Sequence, residues 1–204
     1  MLRDLFERCL YASYVHTAEG GDFALQAEGD TLYILFECSV EKEDWINNFS
    51  FPAKPYKSMD AVWLCHGGFL KVWKAMRDDI EAYVADILAS HDEIHNIKCV
   101  GYSHGGAIAV FATEDMAYLY GDKYSVEGYG FGAPRVLWGL VPKSIKERLS
   151  VFTTIRNIDD IVTHVPPRIF GFRNCGHLTK VGVQGKYNFI DAHRPESYLQ
   201  ELIM

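Results

Sequence analysis

A serine stands between two glycines at residue 103, after a predicted strand and before a predicted helix. The segment CVGYSHGGAIAV places Gly101, Ser103 and Gly105 at even spacing. Glycines on both sides remove the Cβ atoms that would collide in a sharp turn, and such a turn lifts the serine hydroxyl clear of the sheet. The N-terminal end of the following helix favours negative charge, which acyl transfer develops. We therefore predict that Ser103 is a nucleophile.

The acid and the base for such a nucleophile are expected further along the chain. Asp159 and Asp160 directly follow a predicted strand, and either is placed to be the acid. Three histidines are candidates for the base: His164, His177 and His193. His193 is favoured, because a loop before the last helix presents an imidazole over the carboxyl edge of the sheet. His164 and His177 are more typical of structural histidines.

The histidine beside the serine has a different role. The side chain of His104 leaves the next residue of a tight turn and should point away from the serine hydroxyl. Its backbone N–H, at the residue after the nucleophile, is the one expected in an oxyanion hole.

The elements that must position these residues alternate along the chain after an initial helix and hairpin. Residues 2–10 have helical apolar spacing. Phe23, Leu25 and Ala27 recur at every second position, and a Glu-Gly-Asp turn then leads into TLYILFE, which predicts a β-hairpin. We predict further helices at 67–90, 104–120 and in the tail 193–204, and strands at 61–65, 97–102, 124–131 and 149–157. This order predicts an α/β fold with a mixed, mostly parallel sheet flanked by helices. No linker or repeat divides the chain, so we expect one domain over 1–204.

Composition narrows the classes of partner. The formal net charge is −7 and the pI about 5.6, which disfavours nucleic acid and anionic surfaces. No apolar run reaches membrane-spanning length, so no transmembrane segment is expected. The chain has five cysteines without a CxxC pair, and its start lacks a signal-peptide pattern. These features predict reduced thiols in a cytoplasmic protein. They do not indicate the oligomeric state.

Several segments together resemble one family. They stand in family order from about residue 31 to the end: ILFECSVEKEDWINNF, CHGGFLKVW, GYSHGGAIA, GFGAPR, NIDDIVTHVPP and DAHRPESYL. They are similar to six segments of the class 3 lipases. In the same order, these are the oxyanion segment, the Val-His-x-Gly-Phe segment, the Gly-x-Ser-x-Gly segment, the Phe-Gly-x-Pro-Arg segment, the segment with the catalytic aspartate and the closing segment with the histidine. The resemblance implies an α/β-hydrolase fold and a lipase or esterase that needs no cofactor or metal.

The resemblance also assigns residues. Ser103 matches the nucleophile, Asp160 the acid and His193 the base. Ser39 matches the residue that supplies one oxyanion donor, and the N–H of His104 supplies the other. The implied reaction is hydrolysis of a lipid ester through an acyl-enzyme; lipase, phospholipase and soluble esterase stay open, as do a peptidase or a thioesterase.

The chain departs from the family pattern on one side of the expected site. Glu37-Cys38 replaces the family's Arg-Gly before Ser39, so a Cβ at Cys38 restricts a backbone that glycine would leave free. The following stretch VEKEDWINNF is short and charged, unlike an amphipathic lid. This favours small or medium-chain, more soluble esters. It also leaves open the alternative of a catalytically weak relative that serves as a binding module.

The chain contains further residues that could have binding roles. Aromatic residues that could line an acyl site are Trp45, Phe49, Phe51, Phe170 and Phe172, and the run IFGF at 169–172 is the favoured wall because it follows the Asp160 loop. HDEIH at 91–95 has Asp92 where a zinc-protease helix needs glutamate directly after its first histidine. We therefore interpret the segment as a solvated loop without metal. Cys38 is interpreted as an inert thiol.

Overall fold

The structure is a computed structural model that describes residues 1–16, 22–37 and 52–202. Helices α1 to α5 span Leu2–Tyr11, Gly67–Ser90, His104–Tyr120, Lys143–Arg148 and Pro195–Glu201. Strands β1 to β11 span Val15–His16, Asp22–Glu28, Thr31–Phe36, Ala53–Lys57, Val62–His66, Asn96–Tyr102, Ser125–Phe131, Leu137–Trp138, Phe152–Asn157, Phe172–Arg173 and His177–Val181. The predicted helices at 67–90 and 104–120 are confirmed at both ends.

The larger sheet carries the predicted α/β arrangement. Among the described residues it has seven strands in the order β1-β2-β3-β6-β7-β9-β11. The first two pairs are antiparallel, and every pair from β3 to β11 is parallel. The carboxyl ends of the parallel strands therefore meet at one edge, which is where ligands bind in open α/β sheets. The predicted fold class is confirmed.

Helices cover both faces of this sheet. On one face α1 and α5 pack on a cluster that includes Phe6, Tyr102 and Tyr198. On the other face α2 and α3 pack on the larger cluster, with Trp73 and Phe111 among its members. A strand buried on both faces needs apolar residues at successive positions, which explains the run Ile34-Leu35-Phe36 in β3.

A second sheet was not predicted from the sequence. Its strands are antiparallel in the order β10-β8-β5-β4. The predicted strand at 61–65 is real, but it lies in this smaller sheet rather than in the parallel one. Strands β8 and β10 have two residues each, too few to show the alternation by which a strand is identified in a sequence.

In the part of the chain that the structure describes, no helix combines the length and the apolar character that a bilayer span requires.

Candidate active site

Ser103 occupies a strained turn between β6 and α3. Its backbone angles are φ 56° and ψ −119°, and it is the one non-glycine residue with positive φ that the structure describes. Such a conformation costs about 1–3 kcal/mol and persists only where the surroundings impose it. Here the Ser103 N–H donates to the carbonyl of Phe131 at 2.8 Å, which ties the turn to the end of β7.

The glycines of the segment allow very close backbone contacts. A Cβ at Gly101 would lie 2.1 Å from the carbonyl oxygen of Gly105, and a Cβ at Gly105 would lie 2.2 Å from that of Phe36. Both contacts are to backbone atoms, which cannot rotate away. The first turn of α3 can therefore approach β6 and the end of β3 only because these side chains are hydrogen atoms.

Gly105→Ala is expected to destabilise the protein. The added methyl group must push α3 away from the carbonyls of Phe36 and Glu37, and overpacking of this kind typically costs about 1–3 kcal/mol. For a domain of this size that corresponds to a fall in Tm of roughly 2–12 °C. Thermal unfolding followed by circular dichroism checks it, and an unchanged Tm would contradict the close packing described here.

Three side chains from separate loops form a continuous hydrogen-bonded line. The Ser103 hydroxyl lies 2.8 Å from Nε2 of His193, and Nδ1 of His193 lies 2.8 Å from Oδ2 of Asp160. Ser103 and Asp160 follow the carboxyl ends of β6 and β9, and His193 ends a 3₁₀ turn before α5. The structure thus brings together the three residues that the sequence singled out as nucleophile, acid and base.

The Asp160 carboxylate is fully buried and held by several donors. Its Oδ1 accepts the N–H of Val162 at 2.8 Å. Its Oδ2 accepts the hydroxyl of Tyr198 at 2.6 Å and lies 2.8 Å from Nδ1 of His193. Burial and the neighbouring Asp160 charge raise the pKa of Tyr198 well above its ordinary value. The tyrosine is therefore a neutral donor, and the carboxylate is oriented by bonds on both oxygens.

Further contacts position the loop that carries His193. The Tyr102 hydroxyl donates to the His193 carbonyl, and the two rings stack with centroids 5.3 Å apart. The side-chain amide of Asn157 donates to the carbonyl of Ala192 at 3.1 Å. Sequence reasoning missed Tyr102, Asn157 and Tyr198. The family-like closing segment contains Tyr198, but its partners lie 38 and 41 positions away.

The candidates that the sequence left open lie in different surroundings. Asp159 accepts the N–H groups of Gly185 and Tyr187 and so holds that loop. His164 is exposed in a 3₁₀ turn, where its carbonyl accepts a bond from Arg135. His177 is exposed at the start of β11, which is the amino end of a parallel strand and so the opposite edge of the sheet.

His104 begins α3, so its N–H has no partner four residues earlier within the helix. Its ring packs edge-on against Phe69, with centroids 5.4 Å apart. Burial lowers the pKa of the His104 imidazole to about 4. The His104 ring thus packs against Phe69, and it is His193 whose Nε2 lies 2.8 Å from the Ser103 hydroxyl.

A second buried histidine predicts a pH dependence of stability. The ring of His66 accepts the N–H of Phe69 at the start of α2 and stacks on the Phe69 ring. Burial, and secondarily the nearby His104, lowers its pKa from 6.5 to about 4. Between these values the unfolded chain binds a proton that the folded protein excludes, so stability falls as pH falls from 6.5 towards 4.

We expect the contribution of His66 to lower the free energy of unfolding by roughly 1–2 kcal/mol between about pH 7 and about pH 5. Urea unfolding of wild type and His66→Gln at both pH values measures it. The variant lacks the titrating ring, so its loss between the two pH values should be smaller. Equal losses in the two proteins would contradict the prediction.

The aromatic candidates that the structure describes differ in exposure. Phe170 is 62% exposed, whereas Phe172 is 2% exposed and packs near the His66 ring in the smaller sheet. Phe170 and Phe172 therefore face different surroundings, and the role of 169–172 as a pocket wall stays a prediction. Ser39, Cys38, Trp45, Phe49 and Phe51 lie outside the described residues, so their predicted roles stay predictions.

Comparison with known proteins gives a consistent result. The family model described as Lipase (class 3) matches residues 33–170. A secreted mono- and diacylglycerol lipase of Fusarium solani is 30% identical over 67% of this chain and 39% of its own length. A lipase of Rhizomucor miehei is 28% identical over 75% and 43%. The solved triacylglyceride lipase of Rhizomucor miehei superposes with a TM-score of 0.68 at 22% identity, covering 84% of this chain and 66% of that one.

Two consequences follow from these relatives. The chain spans about two-fifths of the length of the curated relatives it matches. The prediction of a cytoplasmic protein is wrong, because it is contradicted by relatives that include a secreted lipase. Its basis was weak, because unpaired cysteines occur in secreted proteins as well as in cytoplasmic ones.

Proposed function

The chain belongs to the class 3 lipase family, and from this premise we propose that it hydrolyses carboxylic esters of lipids through an acyl-enzyme on Ser103. One observation carries the proposal: the hydrogen-bonded line from the strained Ser103 through His193 to the buried Asp160. A serine in a glycine-rich packing turn does not need a histidine at 2.8 Å, or a carboxylate behind that histidine.

Each residue has a defined role in the proposed reaction. The Ser103 hydroxyl attacks the ester carbonyl carbon while Nε2 of His193 takes its proton. His193 then protonates the leaving alkoxide, and Asp160 stabilises the imidazolium and fixes its tautomer through Nδ1. A water molecule, deprotonated by the same imidazole, attacks the acyl-enzyme and releases the acid.

The oxyanion needs donors on the side of Ser103 away from His193. The N–H of His104 is one proposed donor, because it begins α3 directly after the nucleophile. Ser39 is proposed as the second donor on the family pattern. The loss of one such donor typically costs about 3–4 kcal/mol of transition-state stabilisation.

The proposed substrates are lipid esters with small or medium acyl chains. Relatives named as mono- and diacylglycerol lipases support glycerol esters as the class. The short charged stretch at 40–49 offers little apolar area with which to cover a long acyl groove. Because one relative is a secreted lipase, we propose that this protein also meets its lipid substrates outside the cell.

A chain-length series tests the activity and its preference. We expect wild-type protein to hydrolyse p-nitrophenyl esters from acetate to palmitate, with kcat/KM highest below the longest chains. Emulsified monoacylglycerol and diacylglycerol, with release of acid followed by titration, test the glycerol esters. No hydrolysis of any ester would contradict the proposal and favour the alternative of a binding module.

Covalent labelling tests the nucleophile without reference to a natural substrate. A fluorophosphonate ester reacts with an activated serine, and the adduct mass identifies the peptide that carries it. We expect the label on Ser103 and on no other serine. A stable, unlabelled wild-type protein would contradict the assignment.

A further inference from the structure

Three side chains with metal-binding atoms meet at the antiparallel edge of the larger sheet. His16, Asp22 and Glu37 each offer one ligand atom, and these atoms all lie within 4.8 Å of one another. It is the one such group among residues 1–16, 22–37 and 52–202. None of the three belongs to the Ser103 site.

The sheet itself brings the three residues into one row. His16 at the end of β1 is the register partner of Asp22 at the start of β2. The N–H of Glu37, directly after β3, donates to the Asp22 carbonyl at 3.1 Å. Residues opposite each other on neighbouring strands share a face of the sheet, so the three side chains converge.

The contacts within the row leave a place for a cation. Nδ1 of His16 lies 2.8 Å from Oδ2 of Asp22, and the ligand atom of Glu37 lies within 4.8 Å of those of His16 and Asp22. Like charges directly opposite each other on neighbouring strands are unfavourable. A divalent cation between the two carboxylates would turn this repulsion into attraction.

We propose that His16, Asp22 and Glu37 form a binding site for a divalent first-row transition metal such as Zn²⁺. One imidazole nitrogen and two carboxylates suit such ions better than Ca²⁺ or Mg²⁺, which prefer oxygen ligands alone. Tetrahedral Zn²⁺ with bonds of about 2.1 Å sets its ligands roughly 3.4 Å apart, so side-chain shifts of about an ångström close the site. The His16 side chain is 79% exposed, which gives the ion a way in and leaves room for water as a further ligand.

The site also adjoins the segment expected to carry an oxyanion donor. The Glu37 carbonyl lies so close to the first turn of α3 that a Cβ at Gly105 would be 2.6 Å from it. Ser39 follows Glu37 by two residues. A cation held by Glu37 should fix the Glu37 backbone against the first turn of α3, beside Ser103, and so change the rate of ester hydrolysis, a consequence that rests on the proposed function.

Calorimetric titration of tag-free protein with ZnCl₂ tests the site. We expect one equivalent to bind wild type, and His16→Ala and Glu37→Gln to weaken binding by at least about tenfold, the loss that even outer-shell changes cause at metal sites. His91→Ala is the matched control, because His91 and Glu93 form an exposed pair at 3.0 Å that belongs to no three-ligand group among the residues the structure describes. Circular dichroism verifies that the variants are folded.

Several results would overturn the proposal. These are no binding to wild type, equal binding to wild type and both site variants, loss of binding in His91→Ala, or Ca²⁺ binding as tightly as Zn²⁺. The effect on hydrolysis is measured as kcat with and without Zn²⁺, in wild type and Glu37→Gln. An equal effect in both would overturn the link to the oxyanion segment. Zn²⁺ binding in a protein that hydrolyses no ester would support the metal site while contradicting the proposed function.

Discussion

Ser103→Ala is expected to lower kcat for p-nitrophenyl esters by about 10⁶-fold, the scale seen when the nucleophile of such a triad is removed. The reason is that the acyl-enzyme has no other oxygen on which to form. The Ser103 hydroxyl is the group that lies 2.8 Å from Nε2 of His193. Initial rates at saturating ester, measured beside a buffer blank, check the expectation.

The same substitution at an ordinary serine provides the control. Ser90 is exposed at the end of α2, where its hydroxyl donates to the carbonyl of Asp86. Ser90→Ala should keep the wild-type kcat. A Ser103→Ala protein that is folded and retains more than about a thousandth of the wild-type rate would exclude Ser103 as the sole nucleophile.

Asp160→Asn is expected to lower kcat by about 10⁴-fold. The amide cannot stabilise the imidazolium that forms as His193 takes the serine proton. The substitution also disturbs the carboxylate's own contacts, since Oδ1 and Oδ2 accept bonds from Val162 and Tyr198. We therefore expect a loss of stability as well, of about 1–3 kcal/mol for a buried acceptor that is replaced.

A matched substitution at Asp159 distinguishes the effect of Asp160→Asn on kcat from its effect on stability. Asp159 carries the same charge, but its oxygens accept backbone N–H groups from Gly185 and Tyr187 and do not contact His193. Asp159→Asn should lower stability while leaving kcat of the folded protein near the wild-type value. Equal losses of kcat in the two variants would contradict the assignment of Asp160 as the acid.

Local patterns explain which parts of the fold could be predicted. Apolar residues recur at every second position of β2 before a Glu-Gly-Asp turn leads into β3, and α2 repeats its apolar residues at helical spacing, so neighbouring residues carry the information. The elbow around Ser103 was predictable for the same reason, since its glycines and its serine lie within five residues. The smaller sheet was not, because β8 and β10 are two residues long and are strands only through their partners.

The residues that hold the Ser103 site in place illustrate a second limit of prediction from the sequence. Asn157 and Tyr198 lie in the segments that carry Asp160 and His193, but nothing in the spacing of these segments shows which atoms the two side chains contact. The Tyr198 hydroxyl reaches Asp160 and the Asn157 N–H because α5 packs over the end of β9. Contacts of this kind depend on how helices dock on the sheet, which local spacing does not encode.

The sequence by itself determined the order of the elements, the nucleophile turn and the set of acids and histidines from which a triad could be drawn. The position of His193 before the last helix favoured it as the base, whereas Asp160 was preferred over Asp159 only through the family resemblance. The tertiary structure decided which side chains meet. Parallel strands end at one edge of the sheet, so residues 103, 160 and 193 converge there, whereas Asp159 binds the loop at 185–187 and His177 lies at the other edge. Geometry across a sheet is set by strand order and helix docking, and these emerge only when the whole core is packed.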